Sequence, residues 1–173
     1  YINMIKNTLL DDLAAAYPNV KIRDTDTVWR ALTKVYEYCK GEKFIFVLDE
    51  WDYIYHQDFV TEEEKERFTK FLSNLLKDKA YVELAYMTGI LPIAKYSSGS
   101  ELNMFFEYSM ASRVKFSEYF GFTDEEVDGL FQRYLQIEKE PRVTREGLAL
   151  WYDGYQTAGG KRLYNPRSVV GAL

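Results

Sequence analysis

Thiols and imidazoles are almost absent from this chain. Cys39 is the only cysteine and His56 the only histidine among 173 residues. One thiol excludes an intrachain disulfide framework and fits a reducing compartment. One imidazole excludes a multi-histidine metal site and makes a Ser-His-Asp triad unattractive. Cys39 stands among Tyr36, Tyr38 and Lys40 on a predicted helix and reads as a thiol with no functional role. No apolar run is long enough to span a membrane, and no signal peptide is visible. A basic surplus is missing too. The net charge is −5 and the isoelectric point about 5.1, which gives no support to a strongly basic nucleic-acid surface.

What is present fits a soluble globular chain. Hydrophobic residues make up 47% and charged residues 28%, enough for one domain with a real core or a domain plus a small appendage. Aromatic residues reach 17%, with 15 Tyr and 11 Phe. That excess reads first as core and surface packing rather than as a platform for stacked bases.

Apolar spacing predicts the elements. Ile2, Ile5, Leu9, Leu10 and Leu13 recur at helical intervals, and Pro18 marks the end of that helix. A second helix is expected to start near Asp24 to Asp26, with Val28, Leu32, Val35 and Tyr36 on one face and Lys40-Gly41 closing it. Phe44 to Leu48 follows as a strand short and apolar enough to be buried on both faces. Thr61 and Glu64 form a capping box ahead of Phe68, Phe71, Leu72, Leu75 and Leu76. Tyr81 to Met87 is a second strand, so strand, helix and strand make a βαβ unit and imply a parallel pair. Ser97-Ser98-Gly99-Ser100 signals a loop, and Val114 to Phe116 is a candidate third strand. Thr123 and Glu126 form another capping box, opening a helix with Val127, Leu130, Phe131 and Tyr134 inward. Beyond Pro141 the pattern reads as helix, Asp153-Gly154 turn, Gly159-Gly160 turn and a helix begun at Pro166.

Chemistry concentrates where the first strand ends. Phe44-Ile45-Phe46-Val47-Leu48 runs directly into Asp49-Glu50-Trp51-Asp52. Two adjacent acids at a buried strand tip raise each other's pKa and need a partner against desolvation, and a magnesium ion is one. Apolar residues followed by Asp-Glu form the Walker B pattern, in which Asp49 holds the magnesium shell and Glu50 polarises an attacking water. A solvated strand end or helix cap gives the same string. Thr88, at the tip of the second strand, stands where a sensor residue would help place a γ-phosphate or the water; Thr-Gly is also ordinary turn chemistry. Arg113 and Arg167 are candidate phosphate-charge sensors, and each also reads as half of a surface ion pair. A phosphate loop is lacking. The only Gly-Lys pair is Gly160-Lys161, it is followed by Arg162, and Tyr155 occupies the position of the first glycine.

Five strings, taken in order, resemble one family. They are Phe46-Val47-Leu48-Asp49-Glu50-Trp51-Asp52, Met87-Thr88-Gly89-Ile90, Tyr119-Phe120-Gly121-Phe122-Thr123-Asp124-Glu125-Glu126-Val127, Trp151-Tyr152-Asp153-Gly154-Tyr155 and Tyr164-Asn165-Pro166-Arg167-Ser168-Val169-Val170. Together they resemble the bacterial AAA-ATPase-like family, whose members often carry a C-terminal PD-(D/E)XK nuclease-like domain. The resemblance implies a P-loop ATPase of the ASCE type that uses ATP and Mg2+, with Asp49 and Glu50 as Walker B acids and Thr88 at the sensor position. It also implies a glycine-rich lysine loop before Tyr1 and a nuclease-like domain, with nucleic acid as its partner, after Leu173. On this reading the chain is a piece of something longer.

The expected architecture is therefore an α/β core with a parallel sheet, P-loop NTPase-like but without its Walker A portion, over residues 1–122, followed by a small, mostly helical, lid-like part over 123–173. The expected function is part of a cytoplasmic ATPase, inactive without the missing loop. The alternative is a non-catalytic interaction domain on the same scaffold. A metal-dependent nuclease built on Asp49, Glu50 and Asp52, with Glu83 on the adjacent strand, is the weakest reading.

Overall fold

The computed structural model describes residues 2–90, 92, 93 and 101–173, apart from the side chain of Asp153; the loop expected at Ser97 to Ser100 lies outside them. The chain divides into two compact units, Tyr1–Phe105 and Phe106–Leu173.

In the first unit α1 (Ile2–Ala16) and α2 (Val28–Tyr38) precede β1 (Phe44–Leu48), and α3 (Glu62–Leu76) links β1 to β2 (Val82–Met87). The start of α2 falls later than the Asp24 to Asp26 reading. Thr27 is its N-cap and accepts from the Arg30 amide, while Asp26 is buried and accepts from the Arg23 amide at 2.9 Å and from Lys34 Nζ at 2.5 Å. The Thr61–Glu64 capping box forms as expected. It satisfies two amides that the first turn of α3 would otherwise leave unpaired.

The expected face of α3, Phe68, Phe71, Leu72, Leu75 and Leu76, is buried against Val28, Ala31, Leu32 and Val35 of α2 and Leu10 and Leu13 of α1. Each large side chain removed from water there contributes about 1.5–3 kcal/mol before conformational entropy is counted. Tyr81 joins this core with its hydroxyl on the Leu75 carbonyl, and burial pushes its pKa up.

β1 and β2 pair in parallel, with Leu48 opposite Met87 and a bulge between Phe44 and Ile45. Phe44, Phe46, Leu48, Val82, Ala85 and Met87 pack on the helical core. The alternate residues do not. Ile45 and Val47 are 65% and 70% exposed, and their partners Leu84 and Tyr86 are 53% and 58% exposed. The strand expected to be buried on both faces is thus covered on one. The helices of the unit lie against a single side, and length alone cannot reveal which faces of an apolar run find a partner.

In the second unit α4 (Asp124–Ile137) starts at the expected capping box and buries Val127. It is followed by α5 (Arg145–Tyr152), β3 (Asp153–Gln156), β4 (Arg162–Tyr164) and α6 (Pro166–Ala172). Two expectations change here. Val114 to Phe116 is a turn and not a strand, because Phe116 adopts φ +67° and Ser117 bonds back to the Val114 carbonyl. Asp153-Gly154 lies in a strand instead of a turn, and β3 and β4 form an antiparallel hairpin around Gly160, at φ +80°. The bridge from Phe122 to Tyr164 ties Phe122 to this unit, so the division falls at Phe105/Phe106 where the sequence placed it after residue 122. Val127, Leu148, Tyr164 and Val169 form the core of this unit.

Arg145 organises the polar side of that core. It reaches Asp124 at 2.8 Å, Asp128 at 2.5 Å and the Tyr164 hydroxyl at 3.2 Å, and Tyr164 donates to Asp124 at 2.6 Å. Burial works against the Arg145 charge, and these hydrogen bonds outweigh it, raising its pKa. The Tyr164 hydroxyl and then the Arg145 guanidinium hold Asp124 below the ordinary carboxylate value of 3.8. A carboxyl whose folded pKa is depressed adds stability that is present above its unfolded value and lost as pH falls through its folded one. The thermal midpoint of Asp124→Asn is therefore expected to fall less between pH 5 and pH 2 than that of the parent chain. Parallel midpoint-against-pH curves would show that Asp124 takes no part in acid unfolding.

Candidate functional site

The two strand tips define the site. Parallel pairing brings the residues after Leu48 and after Met87 to the same end of the sheet, where ligands of parallel α/β sheets gather. The Thr88 amide donates to the Leu48 carbonyl at 2.9 Å, and the Trp51 amide donates to the Thr88 carbonyl at 2.9 Å. Between these two bonds the Thr88 hydroxyl donates to Asp49 Oδ1 and accepts from the Glu50 amide at 3.0 Å. Asp49 and Glu50, chosen from the sequence as one acidic pair, and Thr88, chosen for its place at the neighbouring strand tip, stand together.

Asp49 and Glu50 are exposed. The desolvation that the sequence reading assigned to them falls instead on Asp52, which is 1% exposed. The Asp52 carboxylate accepts from the Ile90 amide at 3.0 Å and lies 3.3 Å from His56 Nε2. Asp52 therefore fastens the segment after β2 to the segment after β1. Gly89 makes that approach possible, since a Cβ there would lie 2.6 Å from Trp51 Nε1 and 2.9 Å from Asp52 Oδ1. Glu50 sits at φ +48°, a left-handed backbone that costs a non-glycine residue about 1–2 kcal/mol. The turn keeps Glu50 outward beside Asp49 at that cost.

The Thr88 hydroxyl has one hydrogen to donate, and its hydrogen bond goes to Asp49. In this arrangement the hydroxyl can still accept a hydrogen bond from a water molecule, but it cannot donate to a phosphate without releasing Asp49. Asp49 Oδ2 has no hydrogen-bond partner among the described residues. One carboxylate with an open oxygen is a donor set that suits magnesium, which takes one or two carboxylates and completes its shell with water and phosphate oxygens. No cluster of three or more His, Cys, Asp or Glu that could hold a metal ion occurs among the described residues. The three-acid nuclease arrangement does not assemble: Asp52 is turned into the core contact, and Glu83 pairs with Lys43 at 3.0 Å.

Arg113 and Arg167 both belong to the second unit, whereas Asp49 and Thr88 belong to the first. Arg167 is exposed on α6, and Arg113 lies over the Tyr108 ring. A shallow hollow of about 240 Å³ in the second unit is lined by Thr123, Asp124, Glu125, Lys161 and Arg162. Lys161 is already paired with Glu118 at 2.6 Å there. Sequence reasoning placed Asp52 only among the acids of the nuclease reading, and gave Gly89 no role in the site. The one signal for them was Thr-Gly directly after a strand, which also marks close backbone approach.

No protein-family model, curated protein or solved structure matches this chain.

Removing the Asp52 carboxylate leaves the Ile90 amide without its partner, at a cost of about 1–3 kcal/mol. Asp52→Ala is expected to lower the urea midpoint of the chain accordingly, and Gly89→Ala to do so by forcing Trp51 aside. Glu50→Gly, which relieves the left-handed strain and removes an exposed side chain, is expected to leave the midpoint unchanged or raise it. A marked loss of stability in Glu50→Gly would show that the side chain, and not the turn, carries structural weight.

Proposed function

We propose that this chain is the acid-and-sensor portion of a P-loop ATPase core, requiring a phosphate loop that its residues do not supply. The observation that carries the proposal is the bond from Thr88 to Asp49 across two parallel strand tips. It is the arrangement such a site needs: a carboxylate with an oxygen open to a metal shell, and a hydroxyl one strand away able to accept a hydrogen bond from water. In this reading Asp49 holds magnesium, Glu50 takes the proton of the attacking water and Thr88 positions that water. The magnesium–nucleotide pair would supply a polarised terminal phosphate. Charge sensing by Arg113 or Arg167 remains part of the proposal.

The resemblance of the ordered motifs to the AAA-ATPase-like family supports this reading, and so does the strand–helix–strand order that brings Asp49 to Thr88. One observation favours the second reading, an interaction domain without turnover. The bare face formed by Ile45, Val47, Leu84 and Tyr86 is an apolar surface of the kind that partners cover.

Calorimetry is expected to find no tight magnesium-dependent ATP binding by these 173 residues, because neither the amide cradle nor its lysine is present. Tight binding would overturn the proposal. In a polypeptide that joins this chain to a glycine-lysine phosphate loop, Glu50→Gln is expected to keep nucleotide binding and to slow single-turnover hydrolysis by about 10²–10⁴. Unchanged turnover would remove Glu50 from its role.

A further inference from the structure

Aromatic rings and cations alternate on the surface of the second unit between Tyr108 and Tyr119. Tyr108 meets Phe116 edge to face, with centroids 5.1 Å apart, and Phe116 tilts against Tyr119 at 6.3 Å. The Arg113 guanidinium lies 5.4 Å from the Tyr108 centroid, and Lys115 Nζ lies 4.8 Å from that of Phe116 and 5.9 Å from that of Tyr108. None of these three rings belongs to either hydrophobic core. Tyr119 is 79% exposed and Phe116 46%. Phe116 adopts its left-handed backbone here, and the buried Ser117, bonded to the Val114 carbonyl, closes the turn that holds the rings together. Arg113 and Lys115 make no salt bridge with a described residue.

Exposed rings cost free energy unless something stacks on them, and cations held on ring faces keep their charge outward for an anion. A ligand that uses both must offer flat apolar faces and negative charge at short intervals. Single-stranded nucleic acid has this chemistry, with bases for the rings and phosphates for the cations. An acidic peptide would engage the cations and leave Tyr119 unused, and a duplex keeps its base faces stacked inside. We infer that the surface from Tyr108 to Tyr119 binds single-stranded nucleic acid, stacking a base on Tyr119 and pairing phosphates with Arg113 and Lys115. The inference is independent of the role given to Asp49 and Thr88. The net charge of −5 makes the binding weak and salt-sensitive.

Fluorescence anisotropy of a labelled oligothymidine of about fifteen nucleotides, titrated with the whole chain between 50 and 200 mM salt, tests the inference. Two phosphate contacts predict a slope of log affinity against log salt near about −1.4, and Lys115→Gln is expected to bring it toward about −0.7. Tyr119→Leu, an exposed substitution that leaves the charges in place, is expected to weaken binding about tenfold without changing the slope. Absence of binding, equal affinity in Tyr119→Leu, or equal competition by polyglutamate or by a duplex of the same length would each overturn it.

Discussion

Parallel pairing of two short strands is the constraint on which the first unit depends. A parallel pair cannot close through a hairpin, so β1 and β2 need a crossover, and α3 provides it while filling the core below the sheet. Pairing Leu48 with Met87 then levels the two strand ends. A slip by one residue would turn Phe44, Phe46 and Leu48 outward and separate Asp49 from Thr88. Core packing and site geometry are thus set by the same register.

At the strand tips a small number of hydrogen bonds divides the labour among three acids. Asp52 is spent on structure, holding the Ile90 amide beneath Trp51. Asp49 is shared, with one oxygen bound to Thr88 and the other open. Glu50 contributes only its amide to the clasp and keeps its side chain outside. This division leaves the open oxygen and the outward carboxylate available for chemistry, and it uses backbone strain at Glu50 to keep them there. The second unit solves its own polar problem differently, gathering Asp124, Asp128 and Tyr164 around one arginine over a small apolar core.

Most elements were legible because their signals are local. The two capping boxes, the helix start at Pro166, and the helical spacing of Phe68 to Leu76 depend on residues within a few positions of one another, and each forms where expected. The β3–β4 hairpin was not legible. Its strands are short, its outer positions are polar or exposed, and its turn sits at a Gly-Gly pair that reads equally well as a plain loop. Val114 to Phe116 has strand composition but pairs with no strand among the described residues, and the chain turns there instead. Arg145 gave no signal because its three partners lie 17 to 21 positions away in sequence.

The sequence by itself determined the helices, the strand–helix–strand order and the acids that end the first strand, since propensity, capping and apolar period act along the chain. Only the tertiary structure decided which acid is buried, which face of the sheet is bare, and that the Thr88 hydroxyl donates its hydrogen bond to Asp49. Those outcomes depend on contacts between residues about forty positions apart, which register and packing set together. The same holds for the rings around Arg113. Composition left open whether they pack in the core or on the surface, and packing left them outside both cores.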